Sequence, residues 1–536
     1  RDRAAEGGAR LVVGPEFGNH TSFYRDRDHA WEVAVETDSD YVRAIRQRAQ
    51  ERRIFVVFNA TCRDANAIYI RNFLVGEDGE LIGTDDKQVL MGGESIHLSS
   101  STHPGRVFDT GIGRIAMMSC LDGVPPETAR NLALQGAQLI TNSHNSCALD
   151  EPYLHIPVRA AENRVWIMAA GKVGYICAEE MVGPLTADVG IPQHLLIALG
   201  ENPILNPHGV EVAKLPSGAE GIIFADVDLD DAQDKRWRDG DLFADRRPAL
   251  YQAVGAPPET PADEPAAPFQ GGVINVRCDR QFEENCHRAL DLVADAADNG
   301  SQLLVLPELC TLVPEQIGQD AALAEERSRK FEEALADHCR ELAIHVATSL
   351  VTQADGSYFH TGILLDDRGQ RSIAAHQTHL PNSYRNWCSP GDSLKVFETS
   401  LGRLAIMIGY DAVFPEVASV LARRGAEVIL HPTAWRFDWE VRLALPERAA
   451  ENRVSILSAA RSDTQVARGG LISALSESRP LRARDLNPIW PLEAPFDRET
   501  HVSTKIVPAR SRNKDLLGFD LQQGRRPELY RAILQS

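Results

Sequence analysis

The 536-residue sequence predicts two α/β layer domains joined in tandem. Three observations lead there: a length beyond the reach of one hydrophobic core, a set of sequence blocks that occur twice in the same order, and an alternation of short β-rich runs with helical stretches.

The duplication is read directly from the residues. RAAENRV at 159–165 returns letter for letter at 448–454, TGIGRIAMM at 110–118 matches TSLGRLAIM at 399–407, and GAQLI at 136–140 matches GAEVI at 425–429, all displaced by 289. Further out, LVVGPEF (11–17) pairs with LLVLPEL (303–309), and RRPALY (246–251) pairs with RRPELY (525–530). Five blocks in one order exclude coincidence, and repeats of this size share one architecture. The displacement changes between blocks, which places about ten additional residues of the first copy within 178–200. Between the copies, GAPPETPADEPAAPFQGG (255–272) is rich in proline and acids and reads as an extended, solvated linker. The expected organisation is therefore a domain at 1–254, a linker at 255–271 and a second domain at 272–536. The second copy opens with a strand and a helix, GGVINVRCDRQFEENCHRALDLVADAADNG, ahead of LLVLPEL, whereas Arg1 aligns near Val293. The first domain is accordingly expected to be N-terminally truncated by about 20 residues relative to the second.

Within the first copy, LVV (11–13), IFVVFNATC (54–62), YIRNFLV (69–75), RIAMMS (114–119), QLIT (138–141) and VWIMAA (165–170) read as strands, and 126–135 and 152–164 as helices. Such alternation puts helices outside a sheet core. EDG at 77–79 marks a hairpin turn. Pro126 followed by Glu127 suits a helix start, where the missing N–H costs nothing and an acid meets the positive end of the dipole.

Composition narrows the function. With 76 acidic against 56 basic residues and a net charge of -20, the chain repels nucleic acid and anionic lipid, so a small neutral substrate fits better. Nine cysteines, odd in number and without a CxxC pair, read as reduced thiols of a cytoplasmic protein. No apolar run approaches the roughly 18 residues of a membrane span, and RDRAAEGGAR has no signal-peptide core. His376 and His379 have no acids at ligand spacing, so no metal or other cofactor is implied.

Cys120 follows the strand RIAMMS and opens the turn LDGVPPE, where an exposed thiol near backbone N–H groups and a helix start is expected to have a lowered pKa. It does not stand alone. A strand-end Gly14-Pro15-Glu16, a DDKQVL segment with Lys87, the SCLDGVPPE segment with Cys120, Asp122 and Glu127, the RAxEN helix and the RRPxLY ending occur in that order. Together they resemble the nitrilase superfamily of carbon–nitrogen hydrolases, and the likeness runs through both halves nearly end to end.

The resemblance implies an αββα sandwich for each half and a catalytic set of Glu16, Lys87 and Cys120. Glu94, seven residues after Lys87, matches a second active-site glutamate that orients lysine and substrate. Amide carbonyls are poor electrophiles, so a thiolate forms a thioester that water then cleaves more easily. Glu16 would move the protons, and Lys87 with the backbone N–H of Leu121 would stabilise the oxyanion. Arg159, Glu162 and Asn163 occur in both repeats and read as structural. Leu121 and Asp122 stand where true nitrilases typically carry Trp and Glu, which points to a small amide or N-carbamoyl substrate and release of ammonia. A nitrilase or acyltransferase using the same cysteine is the alternative chemistry, and a catalytically idle binding or scaffold protein the alternative of another class.

In the second repeat Glu308 stands where Glu16 does, but Gln377 replaces Lys87, Tyr384 replaces Glu94 and Gly409 replaces Cys120. Glycine offers no nucleophile, so this site is expected to be degenerate and not catalytic. The expected role of the second half is that of an intramolecular pseudo-dimer partner, with the helices near 126–135 and 415–424 facing each other, and further homo-oligomerisation left open.

Overall fold

The computed structural model describes residues 2–188, 192–261, 263–476, 491–516 and 518–535. They divide into two compact units. Unit 1 comprises Arg1–Lys235 with Asp515–Gln535, and unit 2 comprises Arg236–Glu477 with Pro488–Lys514. The compact units and the sequence repeats part company at the two RRPxLY tails: residues 236–254 of the first repeat belong to unit 2, and residues 515–535 of the second belong to unit 1. Buried charge accounts for both placements. Arg525 pairs with Glu127 at 2.6 Å inside unit 1, and Arg246 pairs with Glu416 at 3.1 Å inside unit 2.

Unit 1 is a two-sheet sandwich with helices on its outer faces. One sheet orders its strands Leu11–Val13, Phe55–Asp64, Ala67–Val75 and Leu81–Asp86. The other orders them Glu211–Ala213, Ile204–Leu205, Trp166–Gly171, Leu139–His144, Gly113–Ser119 and Val107–Thr110. Strand side chains alternate between faces. Val57 and Leu74 therefore point inward against Ile115, Met117 and Leu139 of the facing sheet, while Val56, Phe58 and Phe73 point outward against Val42, Ile45 and Ala49 of helix Asp40–Arg52. That helix starts where Ser39 accepts from Val42 N and stops where Arg53 turns left-handed at φ 51°. Three parallel neighbours, Gly113–Ser119, Leu139–His144 and Trp166–Gly171, end on the same side of their sheet.

Unit 2 repeats the plan. Its first sheet orders Arg371–His376, Ser357–Leu365, His345–Ala354, Leu303–Glu308, Phe269–Asn275 and Thr500–Ile506, and its second carries the parallel strands Gly402–Ile406, Val428–Thr433 and Ser455–Ala460. Val273, Val305 and Leu364 face one core, and their neighbours Ile274, Leu304 and Leu365 face the other, as in unit 1. One difference follows from pairing. Phe269–Asn275 lies between Leu303–Glu308 and Thr500–Ile506, whereas in unit 1 the stretch 221–227, which aligns with 500–506, forms no strand.

One expectation needs adjusting. The inter-repeat segment is not wholly solvated: Glu259 N donates to Arg423 O at 2.7 Å, Arg423 Nε donates to Ala253 O at 2.9 Å, and a strand already begins at Phe269. An extended backbone has unpaired N–H and C=O groups, and the end of helix Pro415–Arg423 offers partners for them. The additional residues within 178–200 include helix Glu179–Asp188, while 189–191 lie outside the described residues. Among the described residues no helix is long and apolar enough to cross a membrane.

Candidate active site

Three strand ends of unit 1 bring the predicted residues together. Glu16 follows strand Leu11–Val13, Lys87 follows Leu81–Asp86 and Cys120 follows Gly113–Ser119. Lys87 Nζ lies 3.0 Å from Glu16 Oε1 and 2.9 Å from both carboxylate oxygens of Glu94, with Lys87 and Glu16 fully buried. Glu94 Oε2 also accepts from Met91 N at 2.9 Å, which fixes the carboxylate at the start of its short helix. Cys120 opens a 3-10 turn, Cys120–Gly123, with φ 43°. A left-handed residue with a side chain is strained by about 1–2 kcal/mol. Cys120 N donates to Asn142 Oδ1 at 2.8 Å, and Asp122 ties the turn to the lysine loop by accepting from Ser119 N, Gln88 N and Val89 N. Leu121 is buried in the same turn and packs with Val89 and Val124.

Burial would by itself lower the Lys87 pKa, yet Glu16 and Glu94 hold it well above the usual range, so the ammonium keeps its charge. Glu16 is the mirror case: burial raises its carboxyl to about 8, against the pull of Lys87 and with a push from Glu94 and Glu151. Cys120 departs from the sequence expectation. Burial first, then Glu151 and Glu16, raises its thiol well above the ordinary value, against the pull of Lys87. The thiol is also half-buried rather than exposed.

Several residues of the site were not read from the sequence. A buried polar ladder joins the two sheets next to Cys120: Asn59 Oδ1 accepts from Phe17 N at 3.0 Å, Asn59 Nδ2 donates to Asn72 Oδ1 at 2.9 Å, and Asn72 Nδ2 donates to Ser119 Oγ at 2.8 Å. Glu151, buried at the start of the one-turn segment Glu151–His155, places Oε2 3.8 Å from Cys120 Sγ. Lys172 Nζ donates to His20 O at 2.9 Å over the ring of Phe17, and burial brings it down to about 8. Arg461 does the same for Leu312 O in unit 2. A signal existed for Glu151 and Lys172, since Glu440 and Arg461 stand at the repeat displacement of 289. A cavity of about 550 Å³ beside Lys172 is lined by Phe17, Asn19, His20, Tyr41 and Phe58, and Cys120 is not among its walls. Arg159 donates to Gly123 O and Val124 O at 2.9 and 2.7 Å, buttressing the Cys120–Gly123 turn.

In unit 2 the corresponding centre is built differently. Glu308 accepts from Tyr384 Oη at 2.9 Å and from Arg436 Nη2 at 3.0 Å. Burial alone would raise its carboxyl, but Arg436, His360 and Tyr384 hold it below the usual range. Gln377 Oε1 bonds the His360 ring at 2.7 Å, and Gln377 Nε2 donates to Ile408 O at 3.1 Å. Gly409 keeps the φ of 43° found at Cys120, without the strain. A Cβ on Gly409 would collide with the Glu308 carboxylate and stand 3.0 Å from Arg436 Nη1. Arg436 aligns with Cys147, a substitution that the motif comparison overlooked.

The carbon–nitrogen hydrolase family model matches residues 2–236 and 268–478. The chain belongs to the carbon–nitrogen hydrolase family. This hydrolase is similar to a nitrilase of Pyrococcus abyssi, 28% identical over 252 residues that make up 46% of this chain and 88% of that protein. It is also similar to an omega-amidase of Danio rerio, 27% identical over 213 residues, 37% of this chain and 76% of that one. Among solved structures, an amidase from Nesterenkonia sp. AN1 in complex with butyramide is 24% identical, with a TM-score of 0.41 over 49% of this chain and 96% of its own. The protein is a tandem carbon–nitrogen hydrolase, an enzyme acting on carbon–nitrogen bonds other than peptide bonds.

Proposed function

We propose that unit 1 hydrolyses a small amide or N-carbamoyl compound through a thioester on Cys120, with Glu16 and Lys87 as the other catalytic residues. The observation that carries this reading is one buried ammonium, Lys87, held between Glu16 at 3.0 Å and Glu94 at 2.9 Å in the site that contains the Cys120 thiol.

The chemistry follows from that arrangement. The substrate carbonyl places its oxygen toward Lys87 Nζ and the backbone N–H of Leu121. As Cys120 Sγ bonds to the carbonyl carbon, its proton passes to Glu16, and Lys87 and Leu121 balance the charge that develops on oxygen. A Glu16 carboxyl pushed up to about 8 is a stronger base than an ordinary one, which narrows the gap to the raised thiol. The carbon–nitrogen bond then breaks, with the proton on Glu16 going to departing ammonia. Water next attacks the thioester carbon and gives its proton to Glu16. The carbon–sulfur bond breaks, the acid leaves and Cys120 recovers its proton.

Unit 2 does no chemistry in this reading: Gly409 has no nucleophilic atom, and Arg436 takes up the carboxylate that a base would need. The tail of the second repeat, which belongs to unit 1, supports that unit through Arg525. The test is ammonia release from a panel of amides, ureas and nitriles, with mass spectrometry of trapped enzyme. A mass increase on Cys120 that is lost in Cys120→Ala supports the reading, and turnover retained by Cys120→Ala refutes it.

A further inference from the structure

Glu151 is a buried carboxylate that the proposed steps leave unused. It is 5% exposed, its Oε2 faces Cys120 Sγ at 3.8 Å, and its Oε1 has no hydrogen-bond partner among the described residues. Its counterpart in unit 2 differs at one oxygen: Glu440 Oε1 is likewise buried without a partner among the described residues, but Glu440 Oε2 accepts from Arg436 N at 2.6 Å and Phe437 N at 2.9 Å. In unit 1 the backbone N–H of Ala148, which aligns with Phe437, goes to Ser146 Oγ at 3.0 Å instead, so the carboxylate turns to the sulfur. Glu16 Oε2 is likewise buried without a partner. Buried acceptors left unmatched by the protein are costly unless a bound molecule supplies donors. One carboxamide NH2 can serve Glu16, and Glu151 then calls for a second donor.

We propose that Glu151 is a specificity-determining residue, whose carboxylate selects substrates with an additional N–H donor within two bonds of the scissile carbonyl over amides of equal size with carbon there. The inference rests on the amide-hydrolase reading of Cys120. It names a chemical class, ureido compounds and α-amino amides, rather than a particular metabolite. The donor approaches the sulfur from the Glu151 side while Lys87 keeps the carbonyl oxygen.

Two isosteric pairs test it in the full-length chain: butyramide with N-ethylurea, and isobutyramide with alaninamide. In the Cys120→Ala variant, calorimetric Kd values are expected to favour the N–H member of each pair, or alaninamide alone if charge dominates, by about tenfold or more. Adding Glu151→Gln should bring each pair to within about threefold, with butyramide affinity little changed. Equal Kd values in Cys120→Ala, or a preference that survives Glu151→Gln, overturn the assignment. If the preference depends on Glu151 while wild-type enzyme releases no ammonia from any of the four, the hydrolytic reading fails and the Glu151 assignment stands. Release of ammonia from butyramide with a flat Kd series sinks only the role of Glu151.

Discussion

Arg525→Ala is expected to destabilise unit 1 although Arg525 lies in the tail of the second repeat. Arg525 Nη1 meets Glu127 Oε1 at 2.6 Å with side-chain exposures of 0% and 2%, and Arg525 Nε donates to Leu521 O at 2.7 Å. Glu127 sits in the first turn of helix Pro126–Leu134, directly after the turn that Cys120 opens. Removing one partner of a buried pair costs about 3–5 kcal/mol, because the other charge stays desolvated. For a domain of this size that corresponds to a fall in transition temperature of about 6–20 °C. The assay is thermal inactivation of ammonia release, run beside differential scanning calorimetry. Arg246→Ala is the matched control, since Arg246 occupies the same motif in the first repeat but pairs with Glu416 of unit 2 at 3.1 Å. It should lower the transition of unit 2 and move the half-inactivation temperature far less. An Arg525→Ala enzyme that inactivates at the wild-type temperature, or an Arg246→Ala enzyme that inactivates as early as Arg525→Ala, would refute the idea that buried pairing ties each tail to the unit described.

Further outcomes follow from the same geometry. Cys120→Ala should reduce ammonia release to background and leave the thermal transition nearly unchanged, because little volume is lost at a half-buried site; retained turnover would remove the nucleophile. Lys87→Met should lower kcat by about 100-fold or more, and also lower stability by stranding Glu16 and Glu94, which denaturant titration would record. Because Glu16 must be ionised to accept the thiol proton, kcat/KM should rise with pH toward a plateau above about 8. The stability sign runs the other way: a carboxyl raised from 4.5 to about 8 contributes stability that is full below 4.5 and lost as pH rises through about 8. The difference in denaturation midpoint between wild type and Glu16→Gln should therefore change across that window, and a constant difference would count against the raised carboxyl. Gly409→Cys should give no second alkylatable or active site and should lower the transition of unit 2, since its Cβ meets Glu308.

The sequence by itself determined the duplication, the α/β layering, the family and the residues that meet around Lys87 in unit 1. These were legible because strand periodicity is local and because the motifs PEF, DDKQVL and SCLDGVPPE each occupy a strand end, where a short run of residues sets both backbone and chemistry. Gly409 against Cys120 was equally visible, being one letter at an aligned position. Only the tertiary structure decided that burial and Glu151 raise the thiol, that Arg436 rather than a lysine pairs with Glu308, and that each RRPxLY tail completes the unit of the other repeat. Each of those depends on charges more than twenty residues apart meeting in a desolvated space, where a few ångströms set the energy. Glu151 stands 31 positions from Cys120 and Arg525 398 from Glu127. No local pattern records such pairs; they exist because distant segments converge within each unit.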